Sequence, residues 1–182
     1  GVTVSLATGL ATGGLGNDTL VGIEHVVGSV YADSLTGDAN VNFLRGGAGS
    51  DILTGGAGTD TFALDDVNSA TPLADIDTIT DFAAGIGGDI LTLPSSVAFS
   101  TTVALGYARL TQSGLNTLVE VDFDGSSGAG TFRTIAVLQN VNRANLTAFN
   151  FNGIDLNPIT GTPGADNLTG TAAANYMDAG AG

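Results

Sequence analysis

Short apolar stretches separated by glycine-rich turns run along this chain of 182 residues and predict strands rather than helices. Six turn residues followed by three strand residues give a period of nine, and each strand then offers one apolar side chain to a thin core. That side chain is supplied in turn by Leu20, Leu35, Leu44, Leu53 and Phe62. Because such a unit cannot bury its apolar face alone, its stability has to come from stacking on its neighbours.

The turns follow the pattern G-G-x-G-x-D-x-U-x, in which U is a large apolar residue. Residues 13–21, 46–54 and 55–63 match it in full, and 28–36 and 37–45 are weaker copies. At the chain's own composition, the first six positions of the pattern are expected by chance about 0.05 times. The repetition therefore indicates a stacked repeat architecture in which successive turns lie on opposite edges.

Two segments flank or interrupt this array. Residues 22–27, GIEHVV, break the period, and we expect a shortened half-coil with a turn at 22–24 and a strand at 25–27. At the start of the chain, Val2, Val4 and Leu6 alternate with small polar residues. This alternation predicts a strand that caps the open end of the stack.

Beyond residue 64 the pattern changes to longer alternating segments. Residues 75–93 predict a strand, a glycine-rich turn and a second strand. Further strands are predicted at 108–112, 117–123, 131–138 and 146–151. Strands and turns at this spacing indicate an antiparallel or mixed sheet packed onto the end of the stack.

The nonapeptide pattern starts again after Pro158, with copies at 161–169 and 170–178. The sequence stops where another copy is half complete, so we expect a fragment of a longer protein. The predicted domains are a cap strand plus repeat stack at 1–64, a β-rich capping module at 65–157 and the start of a second stack at 158–182.

Composition narrows the possible functions. The chain has 16 Asp and two Glu against four Arg, with no Lys or Cys, and a formal charge of −14. This charge argues against nucleic acid as a partner, and the lack of cysteine excludes disulfides and thiolate metal sites. No apolar run approaches the roughly 20 residues of a transmembrane segment. His25 is the only histidine and no G-x-S-x-G occurs, so the roles needed for nucleophilic or zinc catalysis are missing.

The nonapeptides resemble the calcium-binding RTX repeats of proteins exported by bacterial type I secretion, such as haemolysins, serralysin proteases and giant adhesins. Three looser motifs, at 77–82 (DTITDF), 111–117 (TQSGLNT) and 121–125 (VDFDG), resemble the β-rich module that follows such repeats. The resemblance implies an all-β chain with little helix, in which a parallel β-roll is capped by an antiparallel or mixed β module. It also implies calcium as the cofactor and the exterior or surface of a Gram-negative bacterium as the location.

The chemistry of the turns agrees with a hard cation. Calcium takes six to eight oxygen ligands from carboxylates and carbonyls, and glycine-rich turns expose their carbonyls. One turn supplies about half of such a set, so two turns stacked on one edge have to share an ion. We expect turns 13–18, 28–33 and 46–51 on one edge and 22–24, 37–42 and 55–60 on the other, with about three ions.

The candidate ligands are the glycines and acidic or amide residues of these turns. They are Gly13, Gly14, Gly16, Asp18, Gly28, Asp33, Asn42, Gly46, Gly47, Gly49, Asp51, Gly55, Gly56, Gly58, Asp60 and Asp166. Asp18 and Asp33, Asp33 and Asp51, and Asn42 and Asp60 are the expected pairs, with Glu24 able to join the second edge. Asp166 would serve an ion completed by residues beyond Gly182.

Metal-free explanations of these residues remain open. Aspartate also caps glycine turns by hydrogen bonding in solenoids that bind no metal, and the neutral Asn42 suits this explanation as well as ligation. Asp122 and Asp124 form half of a D-x-D-x-D-G loop, for which a hairpin turn is the preferred interpretation. Asp77, Asp81 and Asp89 are expected as solvated strand edges, although their closeness to the last repeat allows a further site.

The leading function is a non-catalytic, calcium-binding module of a secreted or cell-surface protein, whose folding depends on calcium. One alternative is an accessory or secretion domain of a type I secreted hydrolase or epimerase whose catalytic domain is absent. The other is a repeating unit of an S-layer, sheath or giant adhesin that contacts neighbouring copies or modules of the same protein. Tandem copies in the full-length sequence would indicate the surface protein, and an upstream catalytic domain would indicate the enzyme.

Overall fold

A computed structural model describes residues 1–14, 16–64, 75–94, 108–122, 132–154, 156, 159–160 and 177–178. The strands are β1 (Val2–Ser5), β2 (Leu10–Gly13), β3 (Gly16–Thr19), β4 (His25–Val27), β5 (Ser34–Thr36), β6 (Phe43–Arg45), β7 (Ile52–Thr54), β8 (Thr61–Ala63), β9 (Asp77–Ile79), β10 (Ile90–Thr92), β11 (Ala108–Ser113), β12 (Asn116–Val121), β13 (Arg133–Leu138), β14 (Ile159–Thr160) and β15 (Met177–Asp178). Two short 3₁₀ helices, Arg143–Asn145 and Ala148–Phe151, follow β13.

The repeats form a parallel β-roll with one sheet on each side. Strands β1, β5, β7 and β9 lie side by side in one sheet, and β4, β6, β8 and β10 form the other. Consecutive repeat strands alternate between the sheets, so paired residues such as Leu35 and Leu53 come from every second repeat. The predicted parallel β-roll is confirmed, and the strand bounds predicted for the half-coil at 25–27 and for the four following repeats agree with the structure.

The core is a stack of the predicted apolar side chains. Leu35, Leu44, Leu53 and Phe62 are fully buried, and the half-coil contributes Val26. Leu20 is only partly buried against this core. Strands β4, β5, β6, β7 and β10 each bury only their central side chain, which explains why such short strands require stacking.

The N-terminal segment departs from the expected stack. Strand β1 pairs in parallel with β5, so the predicted cap strand is confirmed. Strands β2 and β3 then form an antiparallel extension of β1, with Gly13 opposite Gly16 and Ala11 opposite Asp18. The prediction that turn 13–18 stacks on turn 28–33 is wrong, because β1 already occupies that position and residues 13–18 form part of a hairpin.

Both sheets of the roll continue past residue 64. Strand β9 is parallel to β7 and β10 is parallel to β8, so the strands predicted within 75–93 add another coil below the last nonapeptide. Ile79 of β9, opposite Leu53, and Leu91 of β10, opposite Phe62, are buried and extend the apolar stack. The parallel sheets therefore run beyond the expected boundary between the roll and the capping module.

The capping module is a mixed sheet, as expected. Strands β11, β12 and β13 are antiparallel, and β13 joins the roll through parallel pairing with β9. The predicted strand at 146–151 is wrong, since Ala148–Phe151 is a 3₁₀ helix. Alternating apolar residues are typical of a strand. Here Leu146 and Phe151 are buried although neither lies in a strand, and the helical turn that contains Phe151 packs against β10 of the last coil.

The second repeat region shows the same pairing as the first. Strands β14 and β15 are parallel, with Ile159 opposite Met177. In the first roll, Leu35 pairs with Leu53 at the same separation along the chain. The register of β14 and β15 is therefore that expected of two repeats on one face of a second roll.

Candidate calcium-binding turns

Each edge of the roll carries a column of buried polar side chains at the end of its turns. Asp33, Asp51 and Asp77 lie on one edge, and all three are at most 6% exposed. The backbone N–H of Asp33 donates to Asp51 Oδ1 at 2.7 Å, and that of Asp51 donates to Asp77 Oδ1 at 3.0 Å. Each carboxylate thus binds the backbone of the turn above it.

The opposite edge repeats this arrangement. The N–H of Asn42 donates to Asp60 Oδ1 at 2.8 Å, and that of Asp60 donates to Asp89 Oδ1 at 2.9 Å. These three side chains are likewise buried. The ladders explain why the sixth position of the repeat has to be a short side chain with an acceptor oxygen.

The first column ends at the N-terminal strand. The N–H of Val2 donates to Asp33 Oδ1 at 2.5 Å, so Val2 takes the place that a stacked turn would otherwise occupy. Asp18 lies in the exposed hairpin instead. The structure therefore does not bring Asp18 to Asp33, whereas it does bring together Asp33 with Asp51 and Asn42 with Asp60.

Glycines let the turns on one edge approach closely. A Cβ on Gly28 would overlap the carbonyl oxygen of Gly46, and a Cβ on Gly37 would overlap that of Gly55. Gly47 has φ 99°, and a Cβ there would overlap the carbonyl oxygen of Ser29 in the turn above. Carbonyl oxygens and carboxylates therefore face one another across spaces that only glycine leaves open.

The space available to a Cβ also distinguishes the glycines of turn 13–18 from those of the later turns. Nothing lies within 4 Å of the Cβ position on Gly14 or Gly16. Gly13 would clash, but with the side chain of Val2 in its own hairpin. The glycines of turn 13–18 therefore serve a tight reversal in the described structure, whereas Gly49, Gly55, Gly56 and Gly58 lie against neighbouring turn atoms or their own aspartate.

Burial and like charges disfavour ionised carboxylates in the second column. Burial, together with the nearby Asp81 and Asp38 carboxylates, raises the pKa of Asp60 despite the hydrogen bond from Asn42. Burial also raises the pKa of Asp89, with Asp60 and Asp81 adding to the effect. A cation in the column would favour the ionised forms that these surroundings oppose.

Calcium fits this donor set. Among the described residues, no three His, Cys, Asp or Glu side chains converge well enough to hold a metal ion by themselves. An ion would therefore depend on backbone carbonyls as well as aspartates, which is the oxygen set that calcium prefers. Converging carbonyls and buried carboxylates meet this requirement between stacked turns.

Several contributing residues were missed or misjudged at the level of sequence. Asp77 and Asp89 were expected to be solvated but complete the two columns, and Asp81 is exposed as expected. Asp75 accepts a hydrogen bond from Gly49 N–H. The segment AGIGGD at 84–89 ends in Asp89 and keeps two glycines of the repeat, a signal that could have identified this turn.

Asn150 has no counterpart in the repeats and was also missed. It is fully buried, and its Nδ2 donates to the carbonyl oxygens of Ala83 at 3.4 Å, Gly85 at 3.2 Å and Asp89 at 2.8 Å. Its Oδ1 accepts from Gly85 N–H at 2.9 Å. One amide thus binds three carbonyl oxygens and one N–H of turn 80–89, below which the described residues form no further stacked turn.

The remaining residues that the sequence offered as catalytic or metal-binding groups are His25, Asp122, Asp124 and Asp166. His25 stacks on Phe43 with ring centroids 5.4 Å apart. Asp122 is buried at the end of β12. Asp124 and Asp166 lie outside the described residues.

The fold and its columns of turns define a calcium-binding repeat protein of the β-roll class. The family model described as RTX calcium-binding nonapeptide repeat (4 copies) matches residues 12–22, 27–62 and 157–182, so these segments are RTX repeats. RTX nonapeptide repeats bind Ca²⁺. No curated protein matches the chain. Within the described ranges, no helix is both long and apolar enough to cross a membrane.

Proposed function

We propose that this chain is a structural module that folds when calcium binds between its stacked turns. One ion would lie between turns 28–33 and 46–51, with Asp33 and Asp51 among its ligands, and another between turns 37–42 and 55–60, with Asn42 and Asp60. Asp166 would take the same role in the second roll. Asp18 has no stacked partner in this arrangement, so we assign it no ion within the first roll.

The two buried acidic columns are the observation that supports this proposal most directly. In each column, the acidic or amide side chains of successive stacked turns are linked by hydrogen bonds to the backbone of the turn above. The glycines of these turns leave carbonyl oxygens facing the spaces between the turns. Without a cation, the ionised carboxylates repel one another and lose hydration. A bound calcium ion would attract these carboxylates and so replace their mutual repulsion with a favourable interaction. Because this interaction exists only in the folded chain, ion binding is coupled to folding.

This coupling suits a protein exported through a type I system to the exterior or surface of a Gram-negative bacterium. Extracellular calcium modules have dissociation constants of about 10⁻⁴–10⁻³ M, so ions would be absent in a cytosol poor in calcium and bound outside. The chain would then cross the exporter unfolded and form its roll on arrival. Its role is support and assembly rather than catalysis.

Circular dichroism of the purified chain tests the coupling. We expect a β spectrum in about 5 mM calcium and a largely disordered spectrum in chelator, with magnesium at the same concentration as the control for ionic strength. Urea unfolding in the same buffers should show a cooperative transition only with calcium. Identical β spectra and transitions in chelator and calcium would refute the proposal.

A repeating unit of a surface protein is the second candidate. The family match on both sides of the capping module, at 27–62 and 157–182, supports it, since a roll, a cap and a second roll make a unit that can recur. Neighbouring modules of the same protein would then be its partners. Tandem copies of this unit in the full-length sequence would favour this candidate over an accessory domain of a secreted hydrolase or epimerase.

A further inference from the structure

Residues 152 and 153 are the one Asn–Gly pair in the sequence. The pair directly follows the 3₁₀ helix Ala148–Phe151, and both residues are exposed to water. The side-chain amide of an asparagine can react with the backbone nitrogen of the next residue, and glycine has no Cβ to shield that nitrogen. The backbone around Asn152 therefore decides whether this reaction occurs.

Deamidation of such a pair begins when the Gly153 nitrogen attacks Cγ of Asn152. A bond forms between these two atoms, and the amide nitrogen of Asn152 leaves as ammonia together with the proton of the Gly153 N–H. Water then opens the resulting succinimide at one of its two carbonyl carbons. The product at position 152 is either aspartate or isoaspartate, in which the main chain runs through Cβ and Cγ.

The folded backbone opposes this attack in two ways. Asn152 is left-handed, with φ 52° and ψ 41°, and this ψ places the Gly153 nitrogen on the opposite side of the Cα–C bond from the Asn152 side chain. Gly153 N–H also donates to the Ala148 carbonyl oxygen at 2.7 Å, while Asn152 N–H donates to that of Phe149 at 3.3 Å. These two bonds are the usual pair at a helix end with a left-handed residue. The helix end therefore has to open before the nitrogen can reach Cγ.

We propose that residues 152–153 are a deamidation site that the folded chain protects and the unfolded chain exposes. The reaction needs only the chain itself and water. The role of calcium in it rests on the proposed function: if the chain is unfolded without calcium, deamidation proceeds in calcium-free solution and slows when ions bind. Deamidation then limits the time for which an unfolded chain stays able to fold.

Isoaspartate at this position would disturb the base of the roll. Its additional main-chain carbon would move Gly153 N–H away from the Ala148 carbonyl and so break the helix end. The same short helix carries Phe151, which is 2% exposed, and Asn150, whose amide binds turn 80–89. A chain modified here should therefore refold less completely.

Mass spectrometry of proteolytic peptides tests the site after the chain has been kept at mildly alkaline pH in calcium, in chelator or in urea. The peptide with Asn152 should deamidate at least about tenfold faster in urea than in calcium, because the helix end has to open first. In chelator we expect the rate found in urea. Equal rates in calcium and urea would overturn the inference, as would protection in chelator of a chain whose circular dichroism is disordered. Protection in chelator with a β spectrum would instead overturn the proposed coupling of folding to calcium and leave the site standing.

Asn140 is an internal control in the same samples. It is also exposed and left-handed, with φ 56°, but Val141 follows it. Because the branched side chain of valine crowds the backbone nitrogen, Asn140 should deamidate far more slowly than Asn152 in urea. Similar rates at the two asparagines in urea would show that the Asn–Gly pair has no special reactivity.

A variant separates deamidation from other damage to the unfolded chain. Asn152→Gly allows the same left-handed backbone but has no amide to react. After equal times in urea, this variant should recover its full β spectrum in calcium, whereas the unmodified chain should lose recovery in proportion to its isoaspartate content. Equal recoveries would contradict the proposed limit on folding.

Discussion

Turns 13–18 and 46–51 have nearly the same sequence, GGLGND and GGAGSD, but different structures. Turn 46–51 is stacked below turn 28–33, and its Asp51 is 1% exposed. Turn 13–18 forms part of a hairpin, and its Asp18 is exposed. The motif therefore permits a stacked turn but does not impose one.

The neighbours of each turn decide between the two structures. Strand β7 has a parallel partner on each side, β5 and β9. The hairpin of β2 and β3 lies at the sheet edge, because β1 has taken the place beside β5. Stacking supplies most of the stability of a repeat, so a motif copy without a stacking position adopts the local structure that satisfies its backbone.

The largest expected difference between the two turns is in the stability lost when the apolar residue that follows each turn is truncated to alanine. Leu53→Ala should lower the free energy of unfolding by about 3–5 kcal/mol, because Leu53 is fully buried between Leu35 and Ile79. Leu20→Ala, the equivalent change after the first turn, should cost only about 1 kcal/mol since Leu20 is partly buried. Urea unfolding in calcium measures both, and equal losses would show that the first copy also depends on stacking.

Substitution of a turn glycine gives the next largest contrast. Gly56 has φ 97°, and a Cβ would overlap the Asp38 carbonyl, so Gly56→Ala should cost about 2–4 kcal/mol. Gly14→Ala should change stability by less than about 0.5 kcal/mol, because its Cβ position is in open space. Thermal unfolding of the two variants in the same calcium buffer would decide the matter, and a severe loss in Gly14→Ala would contradict the hairpin.

Removal of a turn carboxylate should affect calcium more than the fold. Asp51→Asn keeps an acceptor for Asp33 N–H but removes one charged ligand, so the calcium concentration at half folding should rise about tenfold. Asp18→Asn, which removes the same charge from an exposed position, should leave this midpoint nearly unchanged. A calcium titration followed by circular dichroism compares the two, and equal shifts would place Asp18 in an ion site.

The smallest effect concerns pH in the absence of calcium. The pKa values of Asp60 and Asp89 are raised by burial in the folded chain, so their contribution favours the fold below their unfolded pKa and is lost as pH rises through the folded pKa. Chelated protein should therefore gain β-structure on acidification from neutral pH toward the raised pKa values.

Two other groups oppose this trend. The Asn40 backbone N–H lowers the pKa of Asp38, and hydrogen bonds from Arg109 and Thr111 outweigh burial to lower that of Glu120. Their contributions are lost as pH falls through the lowered folded pKa. Circular dichroism against pH in chelator measures the balance, and a loss of β-structure between neutral pH and about pH 5 would contradict the expected sign.

Local periodicity was sufficient to predict the roll, because each nine-residue block carries its own turn glycines and one inward apolar residue. The bounds of β5 to β8 follow directly from that pattern. The position of turn 13–18 depended on competition between β1 and the first repeat for the place beside β5, and the motif does not encode that competition.

The base of the roll was harder to predict because its contacts are remote in sequence. Asn150 reaches Gly85 across 65 residues, and Asp81 reaches Gly55 across 26. Nothing near Asn150 in the sequence indicates that an amide there would satisfy the carbonyls of another turn. The same holds for the burial of Asp77, whose preceding segment does not follow the glycine pattern.

Anomalous diffraction from crystals grown in calcium would test the central claim most directly. Calcium peaks should lie between turns 28–33 and 46–51 and between turns 37–42 and 55–60, each bound by carbonyl and carboxylate oxygens at about 2.3–2.6 Å. No such peak should lie at turn 13–18. Empty spaces between the stacked turns at saturating calcium would contradict the account, however well the β-roll itself is formed.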